Sequence, residues 1–220
     1  MEQYNPILIL RLEGPLQAWG ERARWNQRDT AFMPTKSALV GLIACAMGLP
    51  RGDAAIIDLF ESLTVAVRAD RPGIMMTDYH TVTGIIRTAD GKQRGKVGAD
   101  STVQSWRQYL QDASFLVAIT ADEATLSRCC EALADPVWPV CLGRKSCIPT
   151  RPVLVGITRK YASLENVMQD YPAGERADKA PVMYEIDSPE NGYLRQDVPT
   201  AAPGRIYAQR RVALRPVAGR

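Results

Sequence analysis

Across "NPILILRLEG", Ile7, Ile9 and Arg11 alternate with Leu8, Leu10 and Leu12 before a stop at Gly14-Pro15, which predicts a first β-strand. The next stretch, "PLQAWGERARWNQRDT", sets Trp19 and Trp25 among arginines without periodicity and reads as a loop. In "MPTKSALVGLIACAMGLP", residues 33–50, Leu39, Leu42, Ile43, Ala46 and Met47 recur at helical spacing. Thr35 or Ser37 can cap the first amides there, and Gly48 can supply the left-handed residue after the last turn. "SLTVAVRAD" and "SFLVAIT", residues 62–70 and 114–120, read as strands. A helix follows through "DEATLSRCCEALAD", and "RPVLVGI" at 151–157 gives a fourth strand.

The resulting order is strand, helix, strand, then strand, helix, strand. It predicts an α+β chain with a ferredoxin-like, RRM-like domain, an antiparallel sheet with helices on one face, over residues 1–157. Residues 74–105 interrupt that pattern with Gly91, Gly95 and Gly98 and with Arg87, Lys92, Arg94 and Lys96 against Asp90 and Asp100. An inserted basic β-hairpin with its tip near Asp90-Gly91 is expected there. Residues 158–220 are richer in proline and polar residues, with apolar runs too short for a core of their own. They are expected to form a C-terminal lobe packed on the domain.

Length changes the picture little: 220 residues with 46% hydrophobic content can build one sizeable core. The apolar run Ala38–Leu49 is shorter than the ~20 residues a bilayer-spanning helix needs, and Met1–Pro6 lacks a secretory pattern. No membrane contact and a cytoplasmic location are expected. Five cysteines without a C-x-x-C pair suggest neither a disulfide framework nor a zinc ribbon. The single histidine, His80, leaves few routes to acid–base chemistry. No metal or cofactor is expected.

Net charge is only +3, but it is unevenly placed. Residues 141–160 carry Arg144, Lys145, Arg151, Arg159 and Lys160 without an acid, and residues 205–220 carry five arginines without an acid. Such patches attract phosphates, although a solvated surface explains any one of them. "PTKS" has the lysine and hydroxyl of a phosphate loop, yet no G-x-x-x-x-G precedes it, so NTP hydrolysis is not expected. Lys36 and Ser37 at a helix start can hold a phosphate; plain capping with a snorkelled lysine is the simpler reading. In "CLGRKSC" a glycine, Gly143, lies beside Arg144, Lys145 and Ser146 and could let backbone approach a phosphate, or form an ordinary basic turn. "DYHTV" sets Tyr79 and His80 at the root of the inserted hairpin, where His80 would be either an acid or base in metal-independent RNA cleavage or a hydrogen-bonding residue.

Taken in order, "LILRLEGPLQAWG", "PTKSALVGLIACAMGL", "DYHTV", "TVQSWRQYLQDASFLVAI" and "CLGRKSC" resemble the CasD subunit family of the type I-E CRISPR Cascade complex, within the repeat-associated RNA-binding superfamily. The resemblance spans residues 7 to about 157, with "RIYAQRRV" near the end also similar. It implies a non-catalytic subunit that binds the 5′ handle of CRISPR RNA and caps one end of the complex in antiviral defence. It also implies contact with a backbone subunit through the hairpin, which would be the family's thumb, with a large subunit, and through the complex with target DNA. On that reading the RNA-binding residues are Gln17, Trp19, Gly20, Arg22, Arg24, Lys36, Ser37, Tyr79, His80, Arg87, Lys92, Arg94, Lys96, Arg107, Gly143, Arg144, Lys145 and Ser146. The alternative is a metal-independent endoribonuclease that cuts repeat RNA with tyrosine, lysine and histidine, as in type I-C relatives. A chain of this length leaves little room for an added nuclease domain.

Overall fold

The computed structural model describes residues 4–22, 26–83, 86–87, 93–94, 102–175, 177, 183–200 and 206–218, with side chains described outside 86–87 and 93–94. In chain order its elements are β1 (Ile7–Glu13), β2 (Leu16–Gln17), β3 (Gln27–Arg28), α1 (Lys36–Ala46), α2 (Ala55–Ser62), β4 (Thr64–Arg71) and β5 (Ile74–Thr83). These are followed by β6 (Ile86–Arg87), β7 (Gln93–Arg94), β8 (Thr102–Gln111), β9 (Ser114–Thr120), α3 (Glu123–Ala134), β10 (Leu154–Thr158) and α4 (Leu164–Asp170). The chain closes with β11 (Met183–Asp187), β12 (Tyr193–Pro199) and β13 (Tyr207–Pro216).

A seven-stranded sheet in the order β10-β1-β9-β4-β11-β13-β12 forms the frame. Every described pair in it is antiparallel. The four strands read from the sequence sit side by side as β10, β1, β9 and β4. The sequence placed all helices on one face, whereas the structure covers both. Leu8, Leu10, Leu12, Val67, Val117 and Ile119 pack with residues of α1, α2 and α3 on one side. Ile7, Ile9, Leu116 and Ala118 pack under Leu164, Val167 and Met168 of α4 on the other. All seven residues of β1 are therefore buried, as expected of a strand with no solvated face.

The C-terminal residues depart further from expectation. They add β11, β13 and β12 to the edge of the same sheet, with β11 paired on β4 through Tyr184↔Arg68, Glu185↔Val67 and Ile186↔Ala66. The reason is that they need no core of their own. Glu185, Asp197 and Arg195 are buried, and they balance one another's charge by ion pairs such as Arg195–Glu185 and Arg210–Asp197.

A second buried charge cluster ties α4 to the sheet. Asp70 takes hydrogen bonds from Arg11, from Arg68 Nε at 2.6 Å and from the Gly174 amide at 3.0 Å, while Arg68 Nη1 reaches the Met168 carbonyl at 2.7 Å. All three charged side chains are nearly inaccessible. Removing the carboxylate strands two guanidinium groups in the interior, so Asp70→Ala is expected to lose about 3 kcal/mol or more of unfolding free energy. Urea unfolding checks this; a loss below about 1 kcal/mol would mean the cluster is not an anchor.

Candidate nucleic-acid interface

The hydrophobic pattern of "SALVGLIACAMG" forms α1, capped by Thr35, whose side chain accepts from the Ala38 amide; Gly48 follows with φ +72°. Its N-terminus is not open to an external anion. Asp197 Oδ2 accepts from the Lys36 amide at 3.0 Å, and Lys36 Nζ turns inward to Asp187 at 3.5 Å and over the Phe60 ring at 4.4 Å. Burial pulls the Lys36 ammonium below its ordinary pKa, against the opposing pull of Asp187. Lys36 is thus removed from the expected RNA surface, because the chain's own carboxylates occupy the site a phosphate would take.

Gln17 and Trp19 are corrected in the same way. Both are fully buried. Gln17 Nε2 donates to the Leu12 and Ala113 carbonyls at 3.1 and 2.8 Å, and its Oε1 accepts from Trp19 Nε1 at 3.2 Å. They hold the start of the first loop against the sheet and offer nothing to a ligand. Ser37, half-buried, spends its hydroxyl on Thr35 at 3.2 Å.

What the structure does bring together lies along β8. This strand pairs with β5 over ten residues on one edge, and with β2 and the short parallel β3 on the other. The loop 141–147 packs against the first loop through the Ala18 amide, which donates to the Leu142 carbonyl at 3.0 Å. Gly143 has φ +92°, and a Cβ there would overlap the Ala18 carbonyl. Burial raises the pKa of the Cys147 thiol in the same loop. Arg144 then reaches across: Nη1 donates to the Gln108 carbonyl at 2.8 Å, Nη2 to the Arg28 and Asp29 carbonyls at 2.8 and 3.1 Å, and the guanidinium lies 4.6 Å from the Tyr109 ring centre. Three of its N–H donors are spent on backbone carbonyls, so Arg144 clamps the loop to β8 and β3.

Around this clamp Gly20, Arg22, Gln27, Arg28, Gly143, Lys145 and Ser146 are exposed. Asp29 shapes the first loop by accepting from the Glu21 and Arg22 amides at 3.3 and 2.7 Å. On β5 and β8, Tyr79 is half-exposed beside Trp106, ring centres 5.4 Å apart. His80 Nδ1 lies 3.5 Å from Asp78, and Arg107 donates to Ser105 at 3.1 Å. Tyr79 and His80 are neighbours on one strand and so face opposite sides of the small sheet, and no tyrosine–histidine pair is assembled. Arg24, Lys92 and Lys96, and the expected hairpin tip, lie outside the described residues, and of Arg87 and Arg94 only the backbone is described, in β6 and β7. Gln27, Arg28, Trp106 and Gln108 also lie along this edge, on β3 and β8, and the motif reading did not include them. A signal for Trp106 and Gln108 was the strand alternation in "TDYHT" and "QSWRQ", each of which centres an aromatic between polar residues two positions away; Gln27 and Arg28 had none.

Gly143→Ala forces both a disfavoured φ and a collision with backbone, and should cost about 1–3 kcal/mol. Thermal unfolding measures it, and an unchanged midpoint would mean the loop relaxes without the glycine.

Comparison with known proteins agrees with this architecture. The family model described as CRISPR-associated protein (Cas_Cas5) matches residues 7–213. The chain is 37% identical over 179 residues to "CRISPR system Cascade subunit CasD" of Escherichia coli (strain K12), covering 76% of this chain and 78% of that protein. It superposes on a chain of a "CRISPR RNA-guided surveillance complex" with TM-score 0.76 and 32% identity, over 96% of this chain and 90% of the other. A "Crystal structure of Cas protein" matches with TM-score 0.71 and 32% identity, over 96% and 94% of the two chains. With a family model covering nearly its whole length, and a curated relative of this similarity, the chain belongs to the CRISPR-associated Cas_Cas5 family.

Proposed function

We propose that this chain is a non-catalytic Cascade subunit that binds the 5′ handle of CRISPR RNA and caps one end of a type I-E surveillance complex in the cytoplasm. The observation that carries the reading is the convergence on β8 of residues 18–22 and 26–29 of the first loop and of the loop 141–147, with Arg22, Arg28 and Lys145 exposed around the Arg144 clamp. Such a rim of cations over rigid backbone suits a phosphate chain with little further ordering. The antiparallel neighbours β10, β1, β9 and β4, with helices between them, support a ferredoxin-like half to which β11–β13 are added. The paired β5 and β8 are then the base of the thumb, facing the backbone subunit, and the large subunit and target DNA meet this chain within the complex. Among the described residues no helix is long and apolar enough to cross a membrane.

Endoribonuclease activity is the weaker reading because Tyr79 and His80, neighbours on β5, face opposite sides of the small sheet. His80→Ala should leave guide production intact, and the purified protein should not shorten repeat RNA on a denaturing gel. Cleavage that vanishes in the variant would replace the binder with the nuclease.

The binding assignment has its own test. Lys145→Ala should weaken handle binding and reduce the slope of log affinity against log salt by about 0.7, as expected for one phosphate contact on single-stranded RNA. Lys36→Met should leave the slope unchanged, since that ammonium is spent on Asp187. A slope that responds to Lys36 and not to Lys145 would move the interface to the α1 N-terminus.

A further inference from the structure

We propose that the face of the small sheet centred on Tyr79 and Trp106 is a stacking site for unpaired nucleobases of single-stranded RNA. The inference rests on the RNA-binding reading above and adds which side chains read the bases. Cross-strand register places Thr77 opposite Gln108, Tyr79 opposite Trp106 and Thr81 opposite Gln104, while parallel pairing sets Gln27 beside Trp106 on the far edge. Directly paired residues share a face, so these seven side chains form one surface. The alternate residues, including Asp78, His80, Arg107 and Arg28, point to the other side.

The two faces therefore differ in chemistry. The Tyr79–Trp106 face has no charge, and six of its seven residues are exposed, with Gln108 partly so. Its two rings are 52% and 42% exposed and tilted by 55°, which leaves π-surface uncovered. The hydroxyls and amides around them donate and accept, as the edges of nucleobases require. Without a cation this face does not bind phosphate; that task falls to the basic loops beside β3. An apolar protein partner is a poorer match, because the side chains directly around the rings are Thr77, Thr81, Gln27, Gln104 and Gln108, and of the apolar residues further along this face Leu110 is buried and Met75 stands at its end, too little for the apolar core of a protein interface. The Trp106 backbone is pinned, its amide donating to the Asn26 carbonyl at 2.8 Å, so little order is lost when a base settles on the ring.

The experiment compares two labelled octamers by fluorescence anisotropy on the full chain at fixed salt: octaadenylate, and the same ribose–phosphate chain without bases. Wild type is expected to prefer octaadenylate by about five-fold or more, the scale of base–aromatic stacking. Tyr79→Ala with Trp106→Ala should abolish that preference while leaving abasic binding and the salt slope unchanged; Trp106→Phe should keep most of it. Both rings are half-exposed, so little packing is lost, and Trp106→Gln serves as a second variant if the double variant melts early. A preference that survives these substitutions overturns the proposal while leaving the RNA-binding reading in place. Unchanged preference with loss of co-purifying Cascade subunits overturns it in favour of a protein interface. Failure of wild type to bind either octamer overturns both.

Discussion

Three hydrogen bonds from one guanidinium hold the candidate interface in shape. Arg144 donates to the carbonyls of Gln108, Arg28 and Asp29, and so joins a loop, the strand β8 and the short β3 that would otherwise have only two residues of pairing to keep it in place. Charged donors on neutral carbonyls are among the stronger hydrogen bonds, and the Tyr109 ring beneath the guanidinium adds a cation–π contact. The clamp reaches its target only because Gly143 lets the loop touch the Ala18 backbone. The exposed cations and the aromatic pair are both borne on elements fixed by this junction.

The sheet behind it is rigid for a different reason. Burial on both faces leaves β1, β4 and β9 no solvated side, and two sets of internal ion pairs fasten the later chain segments to it. One holds α4 through Asp70, Arg11 and Arg68; the other couples β11, β12 and β13 to α1 and the first loop through Asp187, Asp197, Arg195 and Glu21. Buried ion pairs add little net stability over apolar residues, but each specifies its partner, since a mismatched charge would be stranded. Here they fix where the C-terminal strands dock.

The strands at 7–13, 64–71 and 114–120 and the helices α1 and α3 were legible because apolar residues recur at the period of the element. The junction of β5 and β8 was visible only as an insertion read as a basic hairpin; the aromatic at the centre of each strand went unread. The strands β11–β13 were not, because "MYEID" and "YLRQDVP" bury acids and an arginine that a hydropathy reading assigns to the surface. Lys36 and Gln17 were misplaced for a related reason. Their partners are far off in sequence, Asp197 lying 161 positions from Lys36 and Ala113 lying 96 from Gln17, and local motif reading has no access to them. The first loop and the loop 141–147 were each recognisable as basic and glycine-bearing, but that residues 18, 28 and 29 meet 142 and 144 follows only from the tertiary fold.

The most direct test of the interface is photocrosslinking within an assembled complex, with 4-thiouridine incorporated in the handle of the guide RNA and the crosslinked peptides of this subunit mapped by mass spectrometry. The account predicts crosslinks in residues 18–29, in 141–147 and on the β5–β8 strands around Tyr79 and Trp106. Crosslinks confined to α2, α3 or the outer strands β12 and β13, with none at the Arg144 junction, would contradict it.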